Sequence, residues 1–445
     1  MANDNESSVR RLPLVDVTAI YAHPRTTGIQ RVVRDIVGDG AELRLVRYSS
    51  KHAGYVSVSA LPELTPRTEG RVVGAVRKAV KDFAYQVWLG FGRMAETRQL
   101  RAVYTSARKI ASRLYSTFLS DTILDSQSPP DTEEKVNLVP DDALWLLDIP
   151  KTNEHLDFIK DLASSKECKL GIYVYDMIPI DFPEMIGGPA ADDVKQSYLD
   201  YLELVPLASQ VFFLSHYTQE RHHAFATGNG VHPPAKEKVV YPPLDFSRYD
   251  DLKNTQSEDP NSGLAKYLSA TATGPRILCV SPLNERKNVK VLLRALSRLL
   301  EEGSEVVFLL IAPTLSAADR ESVDLVRKLT RRFPDNVLVI NQISDEELVS
   351  AYLATDIVVM PSVVEGFGLP IVEGLYFGCH VLVSDRTSFI ELGALWPIEL
   401  VPAYDVSAWA DRLRLVMMKP APRVAVEADL PSPREFRRSM AELGE

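Results

Sequence analysis

Short apolar runs alternate with longer stretches in which apolar residues recur every three or four positions, and this alternation repeats over most of the chain. The first series predicts a strand over residues 12–20, a turn at Thr27 and Gly28, and a helix with Ile29, Val32, Val33 and Ile36 on one face. The alternation resumes with strands over 144–149, 170–175 and 210–214, separated by helical stretches. Near-continuous apolar strands spaced by helices are the pattern of a parallel sheet covered on both faces. Residues 245–275 then change to Asp, Asn, Ser, Thr and Gly, the composition of a connection. A second series follows, with strands over 276–280, 305–311, 336–340, 356–360 and 380–383 and a helix between each pair. One of these helices opens with Ser344 and Glu347, a capping box in front of Leu348 and Tyr352.

The pattern predicts two doubly wound Rossmann-like α/β domains facing each other across a cleft at the carboxyl ends of their sheets, where ligands of such sheets bind. The expected organisation is an N-terminal domain over 1–250 with a helical insert at 70–120, a linker over 251–274, a second domain over 275–420, and a C-terminal segment over 421–445. In that last segment a helix capped by Ser432 crosses back to the first domain. A length of 445 residues agrees with more than one domain.

Charge changes the picture at the insert. The chain carries a net −10, which disfavours nucleic acid as a partner, yet residues 71–113 hold ten basic residues against two acidic ones. Val72, Val76, Ala79, Phe83 and Val87, and then Val103, Ala107, Ile110, Leu114 and Phe118, recur at helical spacing there. Cationic amphipathic helices of this kind suit an anionic membrane surface. The same residues also describe an insert packed on its own domain with its arginines in water. No apolar run is long enough to span a bilayer, and the polar residues 1–11 lack a signal-peptide core, so a cytoplasmic protein is expected, attached peripherally to the inner face of the membrane where the insert binds it. Cys168, Cys279 and Cys379 share no ligand spacing and the histidines form no metal-binding pair, so neither a disulfide framework nor a metal site is expected.

The chemistry concentrates at residues 361–373, PSVVEGFGLPIVE, directly after an apolar strand. Glu365, Gly366, Phe367, Gly368 and Leu369 form a strand-to-helix turn, and Pro370 suits a first helical turn. The two glycines let the backbone approach a ligand closely, and the helix N-terminus attracts an anion. Glu365 and Glu373 flanking such a turn suit a ligand with both phosphate and hydroxyls, as a nucleoside-diphosphate sugar has. The competing reading has Glu365 capping the helix and Glu373 solvated. Neither a GxGxxG fingerprint nor a Walker A sequence is present, which disfavours dinucleotide oxidoreductases and P-loop kinases.

This stretch resembles glycosyltransferase family 4, retaining enzymes of the GT-B fold, whose hallmark is a pair of glutamates in an EGFGLPxxE setting. The resemblance extends through SPLNERKN at 281–288 and through Gly378, residues 381–385 and Glu391. TTGIQRVVRDI at 26–36, YDMIPIDFPE at 175–184 and SHYTQE at 215–220 resemble a subgroup of bacterial polysaccharide and O-antigen mannosyltransferases. The resemblance implies that Arg286 and Lys287 hold the diphosphate and stabilise the leaving group, with Ser281 or Pro282 where relatives often carry a further arginine. It implies Glu365 at the hydroxyls of the transferred sugar, Glu373 at the ribose, and backbone N–H groups of Phe367 to Leu369 near sugar and phosphates. Gly28 would approach the donor phosphates or the acceptor, with Arg25 and Arg31 adding charge; the alternative is a plain turn with surface arginines. Tyr175 stands where relatives carry histidine, which leaves Asp176 as the candidate to orient or deprotonate the acceptor hydroxyl; the alternative is that Asp176 caps the turn at Met177 to Pro179. Such enzymes need no metal or other cofactor.

The implied function is transfer of a hexose or deoxyhexose, mannose from GDP-mannose favoured, to a lipid-linked or growing polysaccharide acceptor in lipopolysaccharide or exopolysaccharide biosynthesis. The alternative is a non-catalytic GT-B subunit that binds a polysaccharide or a partner transferase.

Overall fold

The structure is a computed structural model that describes residues 11–22, 28–38, 42–62, 134–150, 152–186, 191–234, 236–252, 264, 274–312, 319–341, 343–418, 424–426 and 429–444. The basic stretch 71–113, Arg25 and nearly all of the 251–274 connection lie outside these residues. Two compact units divide the chain: one holds Met1–Arg34 and Asp39–Cys168, the other Asp35–Gly38 and Lys169–Glu445.

The first unit contains strands β1 (Leu14–Asp16), β2 (Arg44–Ser49), β3 (Gly54–Val58) and β4 (Ala143–Leu146) in the order β3-β2-β1-β4. β1 is parallel to β2 and β4, and β3 closes the edge as an antiparallel hairpin with β2. The apolar run at 12–20 is therefore not one strand. It breaks after Asp16, whose Oδ1 accepts from the backbone N–H of Thr18 at 2.9 Å, and a short helix Thr18–Ala22 follows. A carboxylate bonding the amide two residues on competes with the sheet ladder. Asp16 is held there by Tyr55, whose hydroxyl donates to its Oδ2 at 2.8 Å, and by His155 at 2.9 Å. Strands β2 and β3 were not expected; Arg44, Arg47, Ser49 and Ser57 dilute their apolar signal. Helix Gly28–Val37 forms as the periodicity requires, burying Val32, Val33 and Ile36.

In the second unit β5 (Lys169–Val174), β6 (Gln210–Phe213) and β7 (Glu237–Val239) form a parallel series. Near the chain end, helix Pro433–Ala441 starts in a capping box of Ser432 with Glu435, and its buried Phe436 packs on Tyr173 and Phe212 at 5.2 and 5.7 Å between ring centres. The remaining strands, β8 (Arg276–Val280), β9 (Val307–Ile311), β10 (Val337–Ile340), β11 (Ile357–Met360), β12 (His380–Ser384) and β13 (Ile398–Val401), form a fully parallel sheet of order β10-β9-β8-β11-β12-β13. All five strands expected in this series are present, and β13 is additional. Helix Val289–Glu301 buries Leu292, Leu296 and Leu299 on the sheet, each such side chain contributing about 1.5–3 kcal/mol. Strand order reverses between β8 and β11, and at such a switch the loops leaving adjacent carboxyl ends diverge and open a crevice. Cys168, Cys279 and Cys379 are free and buried.

Candidate functional site

The two loops that leave this switch point carry the charged residues singled out in the sequence. After β8, Asn284 accepts from the backbone N–H of Lys287 at 2.9 Å and caps the tight turn Glu285–Lys287. Asn288 follows with φ 49°, and its buried amide donates to the carbonyls of Pro361 at 3.1 Å and Ala403 at 2.7 Å, pinning this loop to those after β11 and β13. Val363 N–H donates to the Arg286 carbonyl at 2.8 Å, and Arg286 Nη1 returns a bond of 2.9 Å to the Val364 carbonyl.

These backbone links deliver Glu365 between two cations. Arg286 Nη1 donates to its Oε2 at 2.8 Å, and the Lys287 ammonium bonds its Oε1. All three side chains are largely shielded from water. Burial alone would push the Glu365 carboxyl up, but Arg286 and Lys287 outweigh it and hold the group at about 2. Burial lowers the Lys287 ammonium, with Arg286 adding to the effect and Glu365 opposing it. Arg286 is raised, because Glu365 more than offsets its burial. The arrangement is a pre-formed electrostatic site: two cations fixed beside the strand-order switch, with one carboxylate between them.

Asp176, just beyond the carboxyl end of β5, shares this field. Its carboxyl is raised by burial, with the Ile178 N–H and Arg286 pulling the other way. The Ile178 N–H donates to Oδ1 at 2.9 Å and the Tyr198 hydroxyl bonds the Asp176 carbonyl, so the carboxylate does close the turn that follows it. Gly366 brings this strand end and the Glu365 turn together. A Cβ at Gly366 would lie 2.5 Å from the Tyr175 carbonyl oxygen and 3.1 Å from Asp176 Cβ, a space only glycine leaves open.

Gly368 sits at φ +110° as the N-cap of helix Leu369–Tyr376, and no side chain caps that helix. Glu365 therefore does not cap it, contrary to the competing expectation. Phe367 is buried against Tyr241 and Trp396, with ring centres 5.7 and 5.8 Å away. Glu373 is not solvated: it is fully buried, Tyr249 donates to Oε1 at 2.9 Å and Tyr352 to Oε2 at 2.6 Å. Ser281 is buried at the end of β8, with its hydroxyl on the Pro282 carbonyl at 3.2 Å. Gly28 opens helix Gly28–Val37 in the first unit. Thus Asp176, Arg286, Lys287, Glu365 and Gly366 gather in one place, while Glu373 faces a separate tyrosine pair.

Sequence reasoning passed over four contributors, Tyr249, Tyr352, Thr387 and Ser388. Tyr249 and Tyr352 approach Glu373 from distant segments. Thr387 Oγ1 accepts from the Glu365 N–H at 3.2 Å, and Ser388 Oγ donates to the Glu365 carbonyl at 3.0 Å. Glu391, noted only as part of the resemblance, accepts from the first amides of helix His216–Gly228, His216 and Tyr217, at 3.0 Å each, and from the Tyr241 hydroxyl at 2.7 Å. A carboxylate at a helix N-terminus is a favourable pairing. None of these partners has a fixed sequence spacing that would reveal it. Among the described residues no cluster of three or more His, Cys, Asp or Glu side chains is placed to hold a metal ion, and no helix is long and apolar enough to cross a membrane.

Comparison with known proteins supports the topology read above. The chain is similar to the D-inositol 3-phosphate glycosyltransferase of Corynebacterium urealyticum, 29% identical over 43% of this chain and 45% of that protein, and to that of Corynebacterium jeikeium, 28% identical over 44% and 46%. The matched region thus spans about half the length of these curated relatives. Among solved structures it resembles E. coli trehalose-6-phosphate bound with UDP-2-fluoro glucose, with a TM-score of 0.55 and 13% identity over 97% of this chain and 94% of that one. It also resembles sucrose-phosphate synthase from Thermosynechococcus elongatus, with a TM-score of 0.53 and 15% identity over 98% and 94%. Residues 267–428 match the family model of glycosyl transferases group 1, and the fold is GT-B.

Proposed function

We propose that this protein is a retaining, metal-independent glycosyltransferase that moves a hexose or deoxyhexose from a nucleoside-diphosphate sugar to a lipid-linked or growing polysaccharide acceptor in cell-surface polysaccharide biosynthesis. The observation that carries the reading is Glu365 held between Arg286 and Lys287 at the strand-order switch of β8 and β11. In this reading the two cations take the diphosphate and stabilise its charge as the glycosidic bond breaks, being fixed in place before the reaction begins. Glu365 takes hydroxyls of the transferred sugar, and the uncapped start of helix Leu369–Tyr376 adds positive potential. Asp176 orients the acceptor hydroxyl and receives its proton; a carboxyl raised by burial is the better base for that step. No nucleophile is required if the acceptor attacks on the face the diphosphate leaves. Glu373 reaches a ribose only by exchanging a tyrosine hydroxyl for a ribose hydroxyl.

GDP-mannose is the favoured donor on the resemblance of the N-terminal motifs, whereas the E. coli structure carries a UDP sugar analogue. A thermal-shift screen against GDP, UDP, dTDP, ADP and their sugars, with and without EDTA, and with Lys287→Ala and Glu373→Ala, separates these. One nucleotide stabilising the wild type irrespective of EDTA and not the Lys287 variant supports the reading; no shift with any nucleotide refutes it. Loss in the Glu373 variant supports the exchange at the ribose. The configuration of the product at the transferred sugar tests retention. The basic stretch 71–113 is proposed as the contact with an anionic membrane that presents the acceptor.

A further inference from the structure

The turn between β12 and the following helix is built on an unfavourable residue. Phe389 N–H donates to the Arg386 carbonyl at 3.0 Å, closing a four-residue turn whose second residue, Thr387, has φ 48° and ψ −130°. These angles are those of a type II′ turn, where glycine is the favoured residue. The other non-glycine residues with positive φ among those described are Ala53, Lys166 and Asn288, and all three occupy the left-handed helical region. Thr387 alone takes this second conformation, and a β-branched side chain suits it worst.

What threonine supplies and glycine lacks is a hydroxyl, and that hydroxyl accepts from the backbone N–H of Glu365. The next residue, the fully buried Ser388, donates to the Glu365 carbonyl. Both backbone polar groups of one residue are thereby held by two adjacent side chains from another strand's loop. We infer that Thr387 and Ser388 are positioning residues, which fix the Glu365 backbone so that its carboxylate stays aimed at the donor sugar. The inference rests on the reading of Glu365 given above. It explains a difficulty in that reading: a diphosphate drawn to Arg286 and Lys287 competes with Glu365 for the same cations, so the side-chain tethers weaken when the carboxylate is needed. The two hydroxyl tethers do not depend on those charges.

The test compares Thr387→Gly, Thr387→Ser, Thr387→Val and Ser388→Ala in thermal melting, in kcat and KM for the donor, and in hydrogen exchange of the Glu365 amide. Thr387→Gly relieves the backbone, so it is expected to melt at or above the wild-type temperature while kcat falls about tenfold to a hundredfold, the scale of a slightly misplaced reacting group. The Glu365 amide should exchange faster in the Gly and Val variants and at the wild-type rate in Thr387→Ser, which should also restore kcat. Wild-type kcat and unchanged exchange in Thr387→Gly would overturn the inference. So would a melting loss in Thr387→Gly equal to that in Thr387→Val, since it would assign Thr387 a structural role alone. If the wild-type protein turns over no donor, the transferase reading falls, and amide exchange still decides whether the hydroxyls hold Glu365.

Discussion

Replacing Glu365 by glutamine removes the charge that Arg286 and Lys287 share while keeping the side chain's shape, and its effect on stability follows from one titration. The carboxyl moves from an ordinary 4.5 to about 2 in the folded protein. At about 1.4 kcal/mol per pKa unit this corresponds to about 3 kcal/mol of stability at neutral pH. Leaving two shielded cations without their carboxylate gives a similar figure, about 3–5 kcal/mol for breaking a buried pair. Because the folded pKa is the lower one, the contribution is complete above the unfolded value and is lost as pH falls through the folded one. The gap between wild type and Glu365→Gln should therefore be about 3 kcal/mol at pH 7, roughly half that at pH 3, and vanish below about pH 2. Asp176 is raised and titrates in the opposite direction, but it is present in both proteins, so the difference is dominated by Glu365. Urea midpoints read by hydrogen exchange in peptides from residues 357–384 measure the gap where it arises. A gap below about 1 kcal/mol at pH 7, or one that stays constant from pH 3 to pH 7, would refute the ion-pair argument.

Gly366→Ala places a Cβ 2.5 Å from the Tyr175 carbonyl oxygen, and since backbone must move to relieve it, a thermal melt should show a loss of about 1–3 kcal/mol. Tyr352→Phe removes the hydroxyl that donates to Glu373 Oε2; denaturant titration should show about 1–3 kcal/mol of destabilisation, and an unchanged midpoint would mean that bond contributes nothing. Asp176→Asn keeps the hydrogen-bonding shape but cannot take a proton, so the transfer rate should fall by about 10²-fold or more with the donor KM little altered. Reversing Arg93, Arg98, Arg101 and Arg108 to glutamate should abolish sedimentation with anionic vesicles at low salt, and any wild-type binding should weaken as salt screens it.

How much of this was legible in the sequence depended on whether the cause is local. The strands β8 to β12 read directly because both faces of a parallel sheet are covered and their central positions are apolar. In the EGFGLP turn Gly368, at φ +110°, and Pro370, in the first helical turn, answer to local backbone geometry, whereas Gly366 is demanded by the Tyr175 carbonyl oxygen from a distant strand end. The edge hairpin β2–β3 was hidden because an edge tolerates Arg44 and Ser57, and the end of β1 was hidden because Asp16 is committed by Tyr55 and His155, 39 and 139 residues away. The candidate site divides along the same line. Glu365, Arg286 and Lys287 announced themselves by residue type, but the orientation of Glu365 depends on Thr387 and Ser388, and the state of Glu373 on Tyr249 and Tyr352, which are ordinary residues in ordinary segments. A threonine is invisible as a strained residue until its φ is known, since nothing in the letters DRTSF says that the chain turns there where glycine would turn more easily. The sequence names groups that can do chemistry, and folding alone determines which neighbours hold them at the angle where they can do it.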